Sequence, residues 1–231
     1  MKATCKNGRS AMSPRLTRRT FLNSTAIAAG AGLAAPLLSL PALASPAVAA
    51  VGKPAPTFTG TTVDGQTMSL ADYKGKLVVL EWTNHGCPFV RKHYDSGNMQ
   101  AVQAEAVAAG AVWLTIISSA PGEQGHVSPA DAKARAASEK WAASTTILDP
   151  SGTIGRAYGA KTTPHMFIIG ADGALLYDGA IDDRPTADKA DIAGSKNYVR
   201  AALADIAAGR PVAISSSRAY GCSVKYAKAS A

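Results

Sequence analysis

Reactive thiols are few in this chain: Cys5, Cys87 and Cys222 are the three cysteines among 231 residues. None is followed by a second cysteine three or four positions later; Val90 and Arg91 occupy those places after Cys87. Charge is thin, at 17% of residues, and acids are missing altogether from residues 1–44, which carry Lys2, Lys6, Arg9, Arg15, Arg18 and Arg19. Without those six bases the formal charge of +8 falls to 18 basic against 16 acidic residues, or +2, and no basic block remains. Nucleic acid is therefore not an expected partner. There is no glycine-rich phosphate loop, no Ser/His/Asp constellation and no internal repeat, which removes phosphate-cradling and triad chemistry from consideration. A long apolar run is also lacking. Ala26 to Leu40 is rich in Ala and Gly and is broken by Pro36, so it makes a poor membrane span.

What stands at the N-terminus instead is a targeting pattern. Arg18-Arg19 precede Phe21-Leu22, the mild Ala/Gly/Leu stretch follows, and Ala42-Leu43-Ala44 has the small–x–small form of a cleavage site. This looks like a bacterial twin-arginine export signal over residues 1–44, with cleavage after Ala44, or failing that after Ala49. The expected location is the periplasm, with no stable membrane insertion once the signal is removed. Cys5 leaves with the signal. The exported chain then keeps Cys87 and Cys222 in an oxidising compartment, where two thiols invite pairing. With 47% apolar residues, the remainder suffices for one good core.

The chain is organised around Lys76 to Asp95. Leu77 to Trp82 is a nearly unbroken run of strand formers, suited to a strand buried on both faces. Thr83 to Gly86 is a short loop. Cys87 and Pro88 follow, and proline is favoured at the first position of a helix. Cys87 thus belongs at a helix N-terminus, where free N–H groups and the helix dipole favour thiolate. Arg91, one turn on, adds positive charge. Cys222 falls in a mobile-looking tail, residues 210–231, after the helix stop Gly209-Arg210-Pro211; it is the candidate to resolve an adduct formed at Cys87.

Around this centre the pattern reads as α/β. Thr57–Thr62 and Gln66–Ser69 form a hairpin about Asp64-Gly65. A helix from Pro88 to about Tyr94 breaks near Ser96-Gly97 and resumes over Asn98–Ala109. Ala111–Ser118 is a second buried strand, giving a parallel βαβ unit. A helix starts at Ser128-Pro129 and runs to about Trp141, followed by a short strand over Thr145–Leu148. Met166–Ile169 and Leu175–Tyr177 flank an Asp172-Gly173 turn, Ile181–Asp191 reads as loop, and Ser195–Ala208 is amphipathic, with Tyr198, Ala201, Ala202 and Ile206 as its packing face. His93 reads as a surface residue of its helix.

These residues resemble the thioredoxin-like superfamily. Glu81 lies six residues before Cys87, as a strand-end carboxylate does in thioredoxins, Trp82 holds the following aromatic position, and Thr163-Pro164 resembles the Thr–cis-Pro that faces the active cysteine. WTNHGCPFVRKHY, TPHMFII, YDGAIDD and the terminal YGCSVKY are similar to the peroxiredoxin-like redoxins, of the alkyl hydroperoxide reductase/thiol-specific antioxidant type, from about Val51 to Tyr226. The resemblance implies a central mixed β-sheet flanked by helices over residues 51–209. It also implies Cys87 as attacking thiolate, Glu81 as its proton carrier, and Thr163, Pro164, Trp82 and Pro88 around the substrate. Asn84 and Leu80 stand where peroxiredoxins carry Thr and Pro. The expected activity is therefore thiol–disulfide exchange, with peroxide reduction as the alternative. A third reading is a non-enzymatic Cu(I)- or thiol-binding chaperone using Cys87, Cys222 and His85. The partners expected are a protein disulfide or thiol, or a small peroxide, and an external thiol reductant. No cofactor or metal is called for.

Overall fold

The computed structural model describes residues 48–228. The twin-arginine pattern, Cys5 and the first-choice cleavage site after Ala44 lie outside the described residues. Among the described residues, no helix is long and apolar enough to cross a membrane.

Chain order begins with an antiparallel hairpin, β1 (Thr59–Thr62) and β2 (Thr67–Ser69). Its turn carries Gly65 at φ 77°, a left-handed conformation that glycine adopts without a Cβ penalty. Then come β3 (Val78–Trp82), α1 (Pro88–Asp95), α2 (Asn98–Ala108), β4 (Val112–Ile117), α3 (Pro129–Ser138), β5 (Thr145–Leu148) and α4 (Thr153–Tyr158). The chain ends with β6 (Thr162–Thr163), β7 (His165–Ile169), β8 (Leu175–Gly179), α5 (Tyr198–Ala207) and β9 (Cys222–Ser223). Seven strands form one mixed sheet in the order β2-β1-β5-β4-β3-β7-β8, and β6 pairs with β9 separately. The pairings β3–β4 and β4–β5 are parallel, whereas β3–β7 and β7–β8 are antiparallel. The α/β class and the sheet flanked by helices are as expected.

β3 sits near the middle of the sheet with all five residues buried. Its alternation serves two cores. Val78, Leu80 and Trp82 face Phe58, Ile147, Tyr158 and Phe167. Val79 faces Cys87, Val90, Met99, Val102, Met166 and Val199. Burying a side chain the size of Leu80 or Val79 contributes roughly 1.5–3 kcal/mol, so the strand that carries the cysteine loop is firmly held.

Three local expectations need correction. The helix begun at Ser128 ends at Ser138, because Lys140 turns left-handed at φ 55° and the reversal lets Trp141 stack on Tyr94, ring centroids 4.9 Å apart. In α5 the expected Tyr198, Ala202 and Ile206 do pack on the second core, but Val199 and Leu203 join them and Ala201 does not, so the face is wider than expected. Finally, the tail is not loose. Val224 packs into the first core, and the Val224 N–H donates to Lys161 O at 3.0 Å. The Tyr226 hydroxyl donates to Ala160 O at 2.8 Å while its ring lies under the Arg156 guanidinium.

Candidate active site

The cysteine loop is latched from two sides. The Asn84 side-chain oxygen accepts from Gly86 N–H at 2.9 Å, and Asn84 O accepts from Cys87 N–H at 3.0 Å. Gln124, in the loop after β4, donates to Gly86 O at 2.9 Å, while Asn84 Nδ2 donates to Gln124 O at 3.2 Å. These bonds hold the exit of β3 so that Pro88 opens α1 and Cys87 occupies its N-cap. Pro88 is exposed and Cys87 is fully buried.

The thiol meets the tail. Cys87 Sγ donates to Thr163 O at 3.1 Å, next to a cis Thr163–Pro164 bond. β6 and β9 are antiparallel, with Thr163 opposite Cys222, and the Cys222 N–H donates to Cys87 Sγ at 3.4 Å. Both thiols are free. Burial alone would push the Cys87 thiol up. The Cys222 thiol and N–H, the Val90 N–H in the first turn of α1 and the Thr163 hydroxyl all favour the thiolate, and together they bring it below its ordinary value. Cys222 is displaced the other way, up to about 11, by burial and then by its hydrogen bond to Cys87 and the Cys87 charge. The shared hydrogen bond thus favours the negative charge on Cys87 and the proton on Cys222.

Just before Cys222, Tyr220 plugs the tail into a buried polar cluster. Its hydroxyl donates to Asp182 Oδ1 and lies 3.2 Å from His93 Nε2, and its ring packs edge-on to Phe89. Lys92 Nζ reaches Asp182 Oδ2 at 3.2 Å and Arg184 O at 2.7 Å, with both side chains wholly buried. His93, expected at the surface, is itself fully buried. Burial, with Lys92 adding to it and Asp182 opposing, lowers its pKa to about 4.

Several expected roles are not matched by position. Glu81 lies on the face of β3 turned to α1 and α2, and all its hydrogen bonds come from Tyr94 (2.7 Å), Trp113 (2.9 Å), Gln103 (3.0 Å) and Thr115 (3.4 Å). Burial raises its pKa despite those donors. No hydrogen bond joins it to Cys87, so a direct proton exchange has no contact to carry it. Trp82 points to the opposite face, fully buried against Tyr158 and Phe167, with its indole N–H on Ser118 Oγ at 3.0 Å. It presents no surface to a substrate. The Arg91 guanidinium pairs with Asp95 at 3.0 Å along α1, and the groups that favour the Cys87 thiolate are those of Cys222, Val90 and Thr163 instead. Thr163 and Pro164 are buried, and the β6 edge that was to receive a substrate is taken by β9.

The profile of the AhpC/TSA family matches residues 51–178, more than half the chain. The chain belongs to the AhpC/TSA family. Its fold is thioredoxin-like, and it shares that fold with solved structures. An uncharacterized conserved protein from Geobacillus kaustophilus is 28% identical, at a TM-score of 0.66 over 79% of this chain and 94% of that one. A hypothetical protein from Sinorhizobium meliloti is 22% identical, at a TM-score of 0.63 over 77% of this chain and 95% of its own. A secreted Mycobacterium tuberculosis disulfide oxidoreductase is 22% identical, at a TM-score of 0.45 over 59% and 92%. No curated protein matches the sequence.

Within this AhpC/TSA chain, Asn84 and Leu80 have structural employment. Asn84 ties the cysteine loop to Gln124, and Leu80 is core. The family match stops at Asp178, so Cys222, Gly221 and the Tyr220 anchor lie beyond it. Gln124, Lys92, His93 and Asp182 were missed in the sequence. The signal that could have found the tail contact is Gly221 directly before Cys222, a glycine where the backbone must come close to something. Its φ is 133°, and a Cβ there would collide with the Thr163 carbonyl.

Proposed function

We propose that this AhpC/TSA member is an exported thiol oxidoreductase in which Cys87 attacks and Cys222 resolves. The observation that carries this reading is the Cys222 N–H on Cys87 Sγ, with Cys222 in register opposite Thr163. In disulfide exchange, the Cys87 thiolate attacks one sulfur of an oxidised substrate. A Cys87–substrate disulfide forms as the substrate S–S bond breaks, and the first thiolate departs. Cys222 then attacks Cys87 Sγ, a Cys87–Cys222 disulfide forms, and the second substrate sulfur leaves with the proton that Cys222 gives up. The substrate gains two electrons and two protons, and an external dithiol returns them to the protein. With a peroxide, the Cys87 thiolate takes one oxygen as the O–O bond breaks and an alcohol or water departs, and Cys222 then attacks the resulting sulfenic acid, forming the disulfide as its oxygen leaves as water. Disulfide exchange is the preferred course, because Asn84 and Leu80 leave the family's peroxide-orienting Thr and Pro unfilled. Export rests on Arg18-Arg19 and Ala42-Leu43-Ala44.

The test is Cys222→Ser. With a small disulfide it should accumulate Cys87 as a stable mixed disulfide, visible by mass, whereas the wild type should pass on to an internal disulfide whose potential lies well above roughly −300 mV. No adduct in the variant, together with a wild-type potential below that value, would make the pair a structural staple.

A further inference from the structure

We infer that the segment around β9 is a resident competitor for the β6 edge, which closes Cys87 to disulfide-bearing polypeptides and leaves it to small oxidants. The inference rests on the reading of Cys87 as the attacking thiol and specifies its substrate class. β6 offers one open edge beside the thiol, and an extended polypeptide would bind there by adding a strand, with main-chain hydrogen bonds supplying affinity. The chain's own tail already does this. Ser223 lies opposite Thr162 and Cys222 opposite Thr163, and the tail's cysteine N–H rests on Cys87 Sγ. An incoming strand that set its own cysteine against Cys87 would need the same register and the same backbone partners, so the two exclude each other.

The tail holds this position at both ends. Upstream, Tyr220 is bonded to Asp182 and to His93 in the buried cluster. Downstream, Val224 is core, Lys225 O accepts from Ala120 N–H at 2.8 Å, and Tyr226 caps Ala160 O. A tethered segment competes at an effective concentration on the order of mM, so a polypeptide at about 10 μM is at roughly a hundredfold disadvantage. A small oxidant needs no strand position. Beside the β6–β9 pair a cavity of about 480 Å³ opens between Thr162, Arg218, Tyr220 and Gly221, within the size range of small-molecule sites.

Gly221 is the specificity determinant in this arrangement, because a side chain there strikes the Thr163 carbonyl. Gly221→Val should lift β9 from β6 while leaving both thiols and α1 intact. The test compares the rates at which the reduced full-length chain reacts with 2-hydroxyethyl disulfide and with an extended ten-residue peptide carrying one mixed disulfide, each supplied at about 10 μM. The wild type should favour the small disulfide by roughly a hundredfold. Gly221→Val should shrink that preference by a similar factor, read as the ratio of the two rates in the same protein so that any change in the Cys87 thiolate itself cancels. Gly221→Ala, a smaller intrusion on the same Thr163 carbonyl, should move the preference in the same direction and serves if the Val variant fails to fold. Wild-type rates that are equal for the two disulfides, or a preference that neither variant moves, overturn this inference alone. Inertness of Cys87 to both disulfides in every protein overturns the oxidoreductase reading and this one with it.

Discussion

Lys92→Met tests the cluster that anchors the tail. Lys92 and Asp182 are both fully buried and 3.2 Å apart. Removing the ammonium leaves the Asp182 carboxylate with the Tyr220 hydroxyl, the Arg184 N–H at 3.0 Å and, 3.8 Å away, His93. Breaking a buried pair by deleting one member costs about 3–5 kcal/mol, and that loss is expected at pH 8. At pH 5 the loss should be smaller. In the wild type His93 titrates at about 4 against an ordinary 6.5. As pH falls, the unfolded chain takes up this proton before the folded one does. The stability tied to neutral His93 is therefore present above pH 6.5 and is lost toward pH 4. From pH 8 to pH 5 the wild type should lose about 2 kcal/mol at roughly 1.4 kcal/mol per unit. Without Lys92, one of the influences holding His93 down is gone and Asp182 still raises it, so an imidazolium can stand in for the ammonium. The groups facing His93 are then Asp182, Tyr220 and the Asn98 amide. The variant should escape part of the roughly 2 kcal/mol loss, since burial, the largest influence lowering His93, remains, and the difference between the two proteins shrinks by that part. Urea denaturation of both proteins at each pH measures it, and other titrating groups common to both cancel. A cost below about 1 kcal/mol at pH 8, or one equal at the two pH values, would refute the reasoning.

Glu81→Gln should stabilise relative to wild type more at pH 8 than at pH 5. The raised Glu81 pKa keeps a proton on the folded chain that the unfolded chain releases, so the wild type loses that contribution as pH rises; paired melts at the two pH values read it. The same variant should leave Cys87 alkylation rates unchanged, and a large fall in rate would restore Glu81 as proton carrier. Cys222→Ala should raise the midpoint of Cys87 alkylation against pH, since the Cys222 thiol is the leading group favouring the thiolate; an unmoved midpoint would leave the backbone N–H groups and the Thr163 hydroxyl as the causes. Replacing Arg18 and Arg19 together by Lys should strand the precursor in the cytoplasm, and normal export in a fractionation assay would remove the twin-arginine reading.

Much of the site's frame was legible because its signals are local. The apolar run into Trp82, the loop and the Cys87-Pro88 pair determine a buried strand that delivers a cysteine to a helix N-terminus, whatever the rest of the fold does. The Asp64-Gly65 and Asp172-Gly173 turns set their hairpins in the same way. Period-two alternation also separates Glu81 from Trp82, and it was the resemblance that drew both toward the substrate. What surrounds Cys87 was decided at long range. His93 read as a surface residue because nothing in its helix announces that Asp182, 90 residues beyond the neighbouring Lys92, will bury with both. Arg91 lies near Cys87 in sequence, yet its guanidinium turns along α1 to Asp95. The tail looked free because its polar, extended residues have no periodicity of their own. Tyr220, Val224 and Tyr226 acquire their partners only when Asp182, the first core and Ala160 are already in place. The sequence by itself determined a nucleophile at the end of a strand. The tertiary structure decided that its nearest strand partner is the protein's own tail, because register across β6 and β9 depends on the close approach of Gly221 to Thr163, which no local pattern encodes.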